Sequence, residues 1–422
     1  MENLNFNSRQ SSPPRRSNRR VGTRFDALIG TAACIAGFCG AAGAAGPEDA
    51  PTAERRGDAD SERRSLPEAV SPEQWARVEA SVDRALAWLS AQQKPDGSFP
   101  TAPEGEPAVT SLCLLAFLSR GHQPGTGPYG GQLDRALDFV LKCQRPDGLL
   151  SLVAVETNHV HLGASHTAAY THAISALMLT EVFGSVSGER SRRIKEVVDK
   201  AIRFTRRLQH EPPKAQPVDK GGWRYVRKYM GAWSPSDSDL SVTGWHLMFL
   251  RSAKNAGFEV PEEMIAAGLE YVERCFDPRT GLFYYGLVGN DRYSSRAMMG
   301  AGALSLSMGG RHHTEMARKA GDWLLDHPFA VYGATVGGRG DRFHYGAYYC
   351  SQAMVQLGGR YWEGFFPPLV TTFLRHQSAE GAWAPETGSE RGEDVVFGQT
   401  YTTALGVLAL TPPYQLLPIY QR

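Results

Sequence analysis

Trp75, Val78, Val82, Ala85, Trp88 and Leu89 recur at steps of three and four residues, which puts apolar side chains on one face of a helix. The stripe stops at Lys94-Pro95-Asp96-Gly97. Pro presets the backbone angle there, and Gly accepts a conformation that other residues avoid. A second helix is predicted over Val109–Gly121, VTSLCLLAFLSRG. It is apolar all round, as a helix buried on most faces must be, and Gly121 is placed to cap its end. The opening unit is thus an amphipathic outer helix, a Pro-Asp-Gly turn and an apolar inner helix.

The unit returns along the chain. AWLSAQQKPDGSF at Ala87–Phe99 is echoed by DFVLKCQRPDGLL at Asp138–Leu150. Outer-type segments follow as VVDKAIRFTRRLQ, GLEYVERCF, ARKAGDWLLDH and LVTTFLRHQ. Inner-type segments follow as TAAYTHAISALMLTEVFG, LSVTGWHLMFLRSAKNAG, SRAMMGAGALSLSMGG, YGAYYCSQAMVQLGG and TYTTALGVLALT. Turn glycines recur at Gly97, Gly148, Gly221, Gly281 and Gly381. Six helix pairs result, roughly 50 residues apart where nothing is inserted. Six pairs can make an open solenoid or a closed ring. The inner segments carry Ala, Gly, Ser and Met on every side, while the outer ones keep charged faces such as Arg203, Arg206 and Arg207. That division predicts an all-α fold, an inner barrel of six helices inside an outer six, with a cavity framed by the inner-helix ends.

The chain has 422 residues, 42% hydrophobic and 21% charged, with a formal net charge of +1. This is ordinary globular composition, and near-zero charge gives no reason to expect nucleic acid as a partner. None of the six cysteines, Cys34, Cys39, Cys113, Cys143, Cys275 and Cys350, stands in a CxxC pair, so no zinc ribbon or thioredoxin-like motif is read. The N-terminus departs from this pattern. Arg15, Arg16, Arg19, Arg20 and Arg24 precede ALIGTAACIAGFCGAAGAAG, Ala27–Gly46. A basic region, a weakly apolar run and small residues read as an export signal over 1–46, with cleavage near Ala42-Gly43-Ala44. The run is poor in Leu, which makes it a weak membrane span. Residues 47–71 are Pro, Ala, Glu, Arg and Asp without apolar periodicity, the pattern of a disordered linker. The globular part runs over 72–422.

The repeat resembles that of squalene and oxidosqualene cyclases and of protein prenyltransferase beta subunits. The resemblance rests on Trp88, Gln93, Gly97 and Phe99, on Phe139, Gln144 and Gly148, on Phe204, Gln209, Gly221 and Trp223, and on Phe373, Gly381 and Trp383. In the fourth and fifth copies Phe276 and Pro328 stand where Gln is expected. The resemblance implies an α/α toroid. The repeated residues themselves read as structural, Gln capping helix ends and aromatics packing between pairs.

Candidate chemistry follows from what each reaction requires. Resemblance to class II cyclases implies an alkene-protonating Asp from a DxDD motif, an acid whose setting keeps it protonated. SPSDSDLSVTGW, Ser234–Trp245, offers Asp237 and Asp239 as the first two acids, but Leu240 replaces the last. The plainer reading is that Asp239 or Ser241 caps the inner helix. Resemblance to prenyltransferases implies zinc held by Asp, Cys and His, and DRFHYGAYYCSQAM would carry only His344 of that set, because the preceding inner helix lacks Asp-x-Cys. No metal and no cofactor is therefore expected. NHVHLGASHTAAYTH gathers His159, His161, His166 and His172, more simply read as structural. A carbohydrate-active toroid needs two carboxylates across a cleft, and Glu156, Asp237, Asp239, Asp291 and Asp341 are the candidates. Thr110, Thr171, Thr243 and Thr402 take the same early position in four inner helices, with Trp245, His246, Tyr345, Tyr348 and Tyr349 at that level. Three readings stand: a binder of a small apolar or polycyclic ligand using Thr243, Trp245, His246, His344, Tyr345, Tyr348 and Tyr349; a terpenoid cyclase using Asp237 or Asp239; and a carbohydrate-active toroid.

Overall fold

The structure, a computed structural model, describes residues 66–155, 162–226, 236–336, 341–386 and 393–421. Twelve α-helices lie among them: α1 (Pro72–Gln92), α2 (Ala108–Ser119), α3 (Gly130–Lys142), α4 (Leu162–Val182), α5 (Gly188–His210), α6 (Leu240–Asn255), α7 (Glu262–Arg274), α8 (Arg296–Met308), α9 (Glu315–Asp326), α10 (Phe343–Leu357), α11 (Gly359–His376) and α12 (Glu393–Leu410). Two short antiparallel strands, β1 (Phe276–Asp277) and β2 (Leu282–Phe283), follow α7. Each even-numbered helix packs on the even-numbered helix before and after it, and α12 packs on α2, so six inner helices close into a ring. Each odd-numbered helix lies against that ring from outside. The fold is an α/α toroid.

The layers follow from the side chains. Every residue of α2 is buried, as its unbroken apolar sequence requires. In α5, Val198, Ala201, Phe204 and Leu208 are buried while Arg203, Arg206 and Arg207 stay in solvent. Ser71 starts α1 with a capping box, its hydroxyl accepting from Gln74 N while the Gln74 side chain reaches back to the Ser71 amide.

The repeated Gln and Gly form a clasp between neighbouring outer helices. The Gln93 amide donates to Gly97 O at 3.1 Å in its own turn and to Gln132 O at 2.8 Å in α3. Gln144 does the same to Gly148 O and to Val197 O of α5, and Gln209 to Gly221 O and to Met264 O of α7. Gln377 closes the circle, donating at 2.8 Å to both Gly381 O and Ser81 O of α1. The glycine is required twice over. Gly97 has φ 94° and Gly381 has φ 109°, and an added Cβ would lie 2.2 Å from Arg135 O and 2.5 Å from Arg84 O respectively. Only a residue without a side chain lets the turn lie on the next helix's backbone.

Two copies lack the Gln. Around Pro328 the donor is instead the buried Arg296, which pairs with Asp341 at 2.8 Å and donates to Pro328 O and Ala334 O. At Phe276 the β1–β2 hairpin takes over the turn. The expected linker also ends sooner than Ser71. Leu66 and Val70 are buried around a 3₁₀ turn at Pro67–Ala69, and Leu66 O accepts from Trp362 Nε1 at 2.8 Å. Their apolar side chains gain a surface on α11 that no local periodicity announces. The expected export signal and the rest of the linker lie outside the described residues. Among those described, no helix is long and apolar enough to cross a membrane.

Gln377→Ala should lower stability by about 2 kcal/mol, because it removes two hydrogen bonds to buried carbonyls. Gln377→Glu should not rescue it at neutral pH, since a carboxylate has no hydrogen to give. Urea unfolding of the three proteins checks this, and an unchanged midpoint in the Ala variant would count against the clasp.

Candidate functional site

All six inner helices send residues, mostly from their N-terminal halves, to one chamber of about 180 Å³. Its wall is aromatic and aliphatic. Tyr170, Tyr225, Trp245, Tyr285, Tyr293, Tyr345, Phe397 and Tyr401 contribute rings, and Val109, Leu112, Ile174, Met298 and Leu405 fill between them. Helix α12 kinks at Gly398, φ 79°, between the Phe397 and Tyr401 that it presents.

Polar atoms in the wall are mostly tied to one another. Tyr170 OH donates to Ser241 Oγ at 3.0 Å, and Ser241 Oγ shares a 2.6 Å hydrogen bond with Tyr345 OH. Trp245 Nε1 donates to Tyr345 OH at 2.9 Å. Burial pushes the Tyr345 phenol up to about 12, so it keeps its proton. His166 stacks on Tyr225 with ring centres 3.7 Å apart, and burial lowers its imidazole to about 4. It is neutral at physiological pH. Arg342 is the cationic residue among the described residues of the wall.

The candidate acids are engaged elsewhere. Asp239 is the N-cap of α6: one oxygen accepts from Val242 N at 2.8 Å, and the other lies 3.9 Å from the Arg224 guanidinium. Burial pushes its carboxyl up to about 6, against the pull of Arg224. Asp237 accepts from Ala215 N at 2.7 Å and so holds the loop before α6. Asp291 accepts from Arg224 and from Ser236 N, and Asp341 pairs with Arg296. Glu156, like His159 and His161, lies outside the described residues. No carboxylate among the described residues lines the chamber.

The expected binding residues divide into three groups. Trp245 and Tyr345 line the chamber. Tyr348 and Tyr349 back them: Tyr348 stacks on Trp245 at 5.3 Å with its hydroxyl on Tyr420, and Tyr349 meets the Trp245 edge. Thr243, His246 and His344 turn toward the outer layer. Thr243 Oγ1 accepts from Trp223 N at 3.0 Å, and His246 stacks on the Trp223 ring at 5.2 Å. His344 faces Tyr332, Glu386 and Asp394, and among the described residues His344, Glu386 and Asp394 are grouped closely enough to hold an ion.

The hydroxyl register also needs correction. Thr110 and Thr243 accept from the amide that follows the turn, Phe99 N and Trp223 N. In the other two copies His172 and Thr403 do so, through Leu150 N and Trp383 N. Thr171 and Thr402 stand one residue earlier and donate to the carbonyls of Leu150 and Trp383. These groups fasten turns to the ring; of them only Thr171 also touches the chamber. His172 is thus a turn anchor, made neutral by burial that lowers it to about 3.

Several wall residues escaped the sequence reading. A signal existed for two of them. Tyr225 and Tyr285 each lie two residues beyond the turn aromatic, in Trp223-Arg224-Tyr225 and Phe283-Tyr284-Tyr285, and extended backbone puts alternate residues on one side. Their hydroxyls meet at 2.9 Å.

Neither protein-family models nor curated proteins give a match to this sequence. Solved structures do. A type II terpene cyclase from Scytonema, MstE, in complex with its product merosterolic acid A, has a TM-score of 0.53 at 15% identity, covering 82% of this chain and 100% of that one. An α-1,6-mannanase of Salegentibacter sp. HEL1_6, in complex with α-1,6-mannotetrose, has a TM-score of 0.55 at 13% identity over 80% of this chain and 99% of that one. The GH76 α-mannanase of Bacteroides thetaiotaomicron has a TM-score of 0.50 at 9% identity over 80% and 95%. At such identities the likeness is one of fold, and it reaches two unlike chemistries that share the α/α toroid.

Proposed function

We propose that this toroid binds a compact apolar ligand of terpenoid type in the chamber. The wall carries the reading: rings and aliphatic side chains enclose the space, and no described carboxylate faces it. A concave apolar chamber with a few fixed polar groups is the usual small-molecule site. At about 180 Å³ it is smaller than the several hundred Å³ of a drug-sized site, which favours a short or folded ligand over a long extended chain. Arg342 and the hydroxyls offer one polar end something to meet. Carbohydrate cleavage is disfavoured, because it needs two carboxylates across the substrate and Asp237, Asp239, Asp291 and Asp341 hold backbone amides or arginines instead.

A type II cyclase is the second reading. The observation favouring it is Asp239, a fully buried acid whose carboxyl is pushed up to about 6. Its cap and the Arg224 guanidinium weigh against a free acid. Export is part of the proposal too, on the strength of the Arg-rich start and the small residues near Ala44.

Three outcomes are expected. Farnesol should quench Trp245 fluorescence in the purified protein, and Met298→Trp, which fills the chamber, should weaken that binding more than tenfold while the fold persists. Mannotetraose binding in place of the isoprenoid would sink the reading. Secondly, below about pH 4 Asp239→Asn should be nearly neutral in stability and Asp239→Ala should cost about 1 kcal/mol, since Asn caps as well as Asp. The sign with pH is fixed by the raised carboxyl. The folded chain holds that proton more tightly, so its contribution is complete below about pH 4 and fades as pH rises through about 6. Asp239→Asn has no such component and should gain on wild type between pH 4 and pH 7. Cyclisation of an isoprenoid by wild type that vanishes in this variant would establish the second reading. Thirdly, mass spectrometry of the secreted protein should find its N-terminus near Ala44; an intact Met1 chain in the cytoplasm would contradict export.

A further inference from the structure

His344 is fully buried at the start of α10 and Asp394 is buried at the start of α12. With Glu386, just before α12, they place one ligand atom each within 4.8 Å of one another. His344 Nδ1 lies 3.6 Å from Asp394 Oδ2 and 3.9 Å from Glu386 Oε1. Glu386 is held there because its Oε1 also accepts from the amides of Phe343 and His344. His344 Nδ1 and both Asp394 oxygens have no hydrogen-bond partner. Unpartnered buried polar atoms are costly, and three in one place call for a common partner.

Tyr332 decides what that partner is. Its hydroxyl donates to Ala384 O at 2.7 Å, so its single hydrogen is spent. Toward His344 Nε2, 2.9 Å away, it can only accept. In the neutral imidazole the hydrogen then sits on Nε2, and Nδ1 presents a bare electron pair to two carboxylates. Three such donors repel one another unless a proton is shared among them or a metal cation stands between them. A ligating histidine that donates its other N–H to an oxygen is the arrangement that fixes ring and tautomer for a metal. Ligands about 2.1 Å from a tetrahedral ion sit about 3.4 Å apart, near the 3.6 Å and 3.9 Å that separate His344 Nδ1 from the two carboxylates.

We propose that His344, Glu386 and Asp394 form a binding site for a divalent transition-metal cation, tying the N-terminal ends of α10 and α12 together. One imidazole and two carboxylates suit a borderline ion of the zinc type, whereas Mg²⁺ and Ca²⁺ prefer oxygen alone. The three protein ligands would leave a fourth position for water. The donor set lies behind the chamber wall and differs from the Asp, Cys and His set that the prenyltransferase resemblance implied.

The full chain, with any affinity tag removed, should be titrated with Zn²⁺ and its metal content measured. About one equivalent is expected, with Mg²⁺ and Ca²⁺ failing to displace it. His344→Gln should weaken Zn²⁺ binding at least 100-fold. Tyr332→Phe should weaken it by about tenfold or more through the lost orientation, and His313→Gln, at an exposed position, should change nothing. Glu386→Gln carries the same comparison at a less buried residue should His344→Gln fail to fold. Co²⁺ substitution should give a visible absorption band in wild type and none in the ligand variants. Zinc uptake that is equal in wild type and variants, or absent from wild type, overturns the assignment.

Discussion

A single carboxamide, used four times, holds this ring together. The Gln side chain offers two hydrogens in a fixed plane, one spent on its own turn and one on the next outer helix. A serine could reach one carbonyl and a lysine would bring a charge that must be desolvated. The glycine beside it sets the distance, since any Cβ at Gly97 or Gly381 would strike the neighbouring backbone. In a ring the last contact must meet the first. Gln377 therefore closes on Ser81, 296 residues away in sequence, and the closure makes every other clasp more local in space than it is along the chain. Where Pro328 replaces Gln, the buried Arg296–Asp341 pair fastens the turn instead, Arg296 donating to Pro328 O and Ala334 O within the loop between α9 and α10. A charged donor makes the stronger hydrogen bond to a carbonyl, but it must bring its own counter-ion, and Asp341 supplies that.

The clasp also decides what faces the axis. With the turns fixed to the outer layer, the N-terminal part of four inner helices has two duties. One face holds the turn, through Thr110, His172, Thr243 or Thr403. The opposite face lines the chamber, through Val109, Tyr170, Trp245 or Tyr401. Polar groups near the mouth are therefore abundant without being available. Thr243 and His246 are buried and polar, as a binding residue would be, yet they serve the seam between the layers.

That double duty explains what the sequence could and could not disclose. The ring was legible because the clasp is a sequence motif: Trp88, Gln93 and Gly97 recur with local spacing, and apolar-all-round helices can only be inner ones. Gln377 was less visible because it follows Phe373 by four residues while Gln93 follows Trp88 by five. The site was legible in part. Trp245 and Tyr345 stood out as aromatics on an inner helix. His344 stood out as well, but neither Asp394 nor Glu386 is near it in sequence, and only the packing of α12 on α10 brings them together. A one-residue shift in helix register moves a side chain by about 100°, which is why Thr171 could not be told from His172 by alignment alone.

The acids at the mouth raise a physical constraint on any chemistry there. Six inner helices bring their N-terminal ends toward one chamber, and each end carries a partial positive charge from unpaired amides and aligned peptide dipoles. Acids beside those ends answer it. Asp239 caps α6, Glu386 accepts two amides of α10, and Asp341 accepts from Arg296 N at the start of α8. A carboxylate that neutralises a helix end is stabilised in its charged form, the reverse of what alkene protonation needs. Asp239 shows the two pressures in one group. The cap and Arg224 draw its carboxyl down while complete burial lifts it to about 6, so burial prevails. The group that gives the ring its α6 start thus also holds its proton more tightly than a free aspartate does.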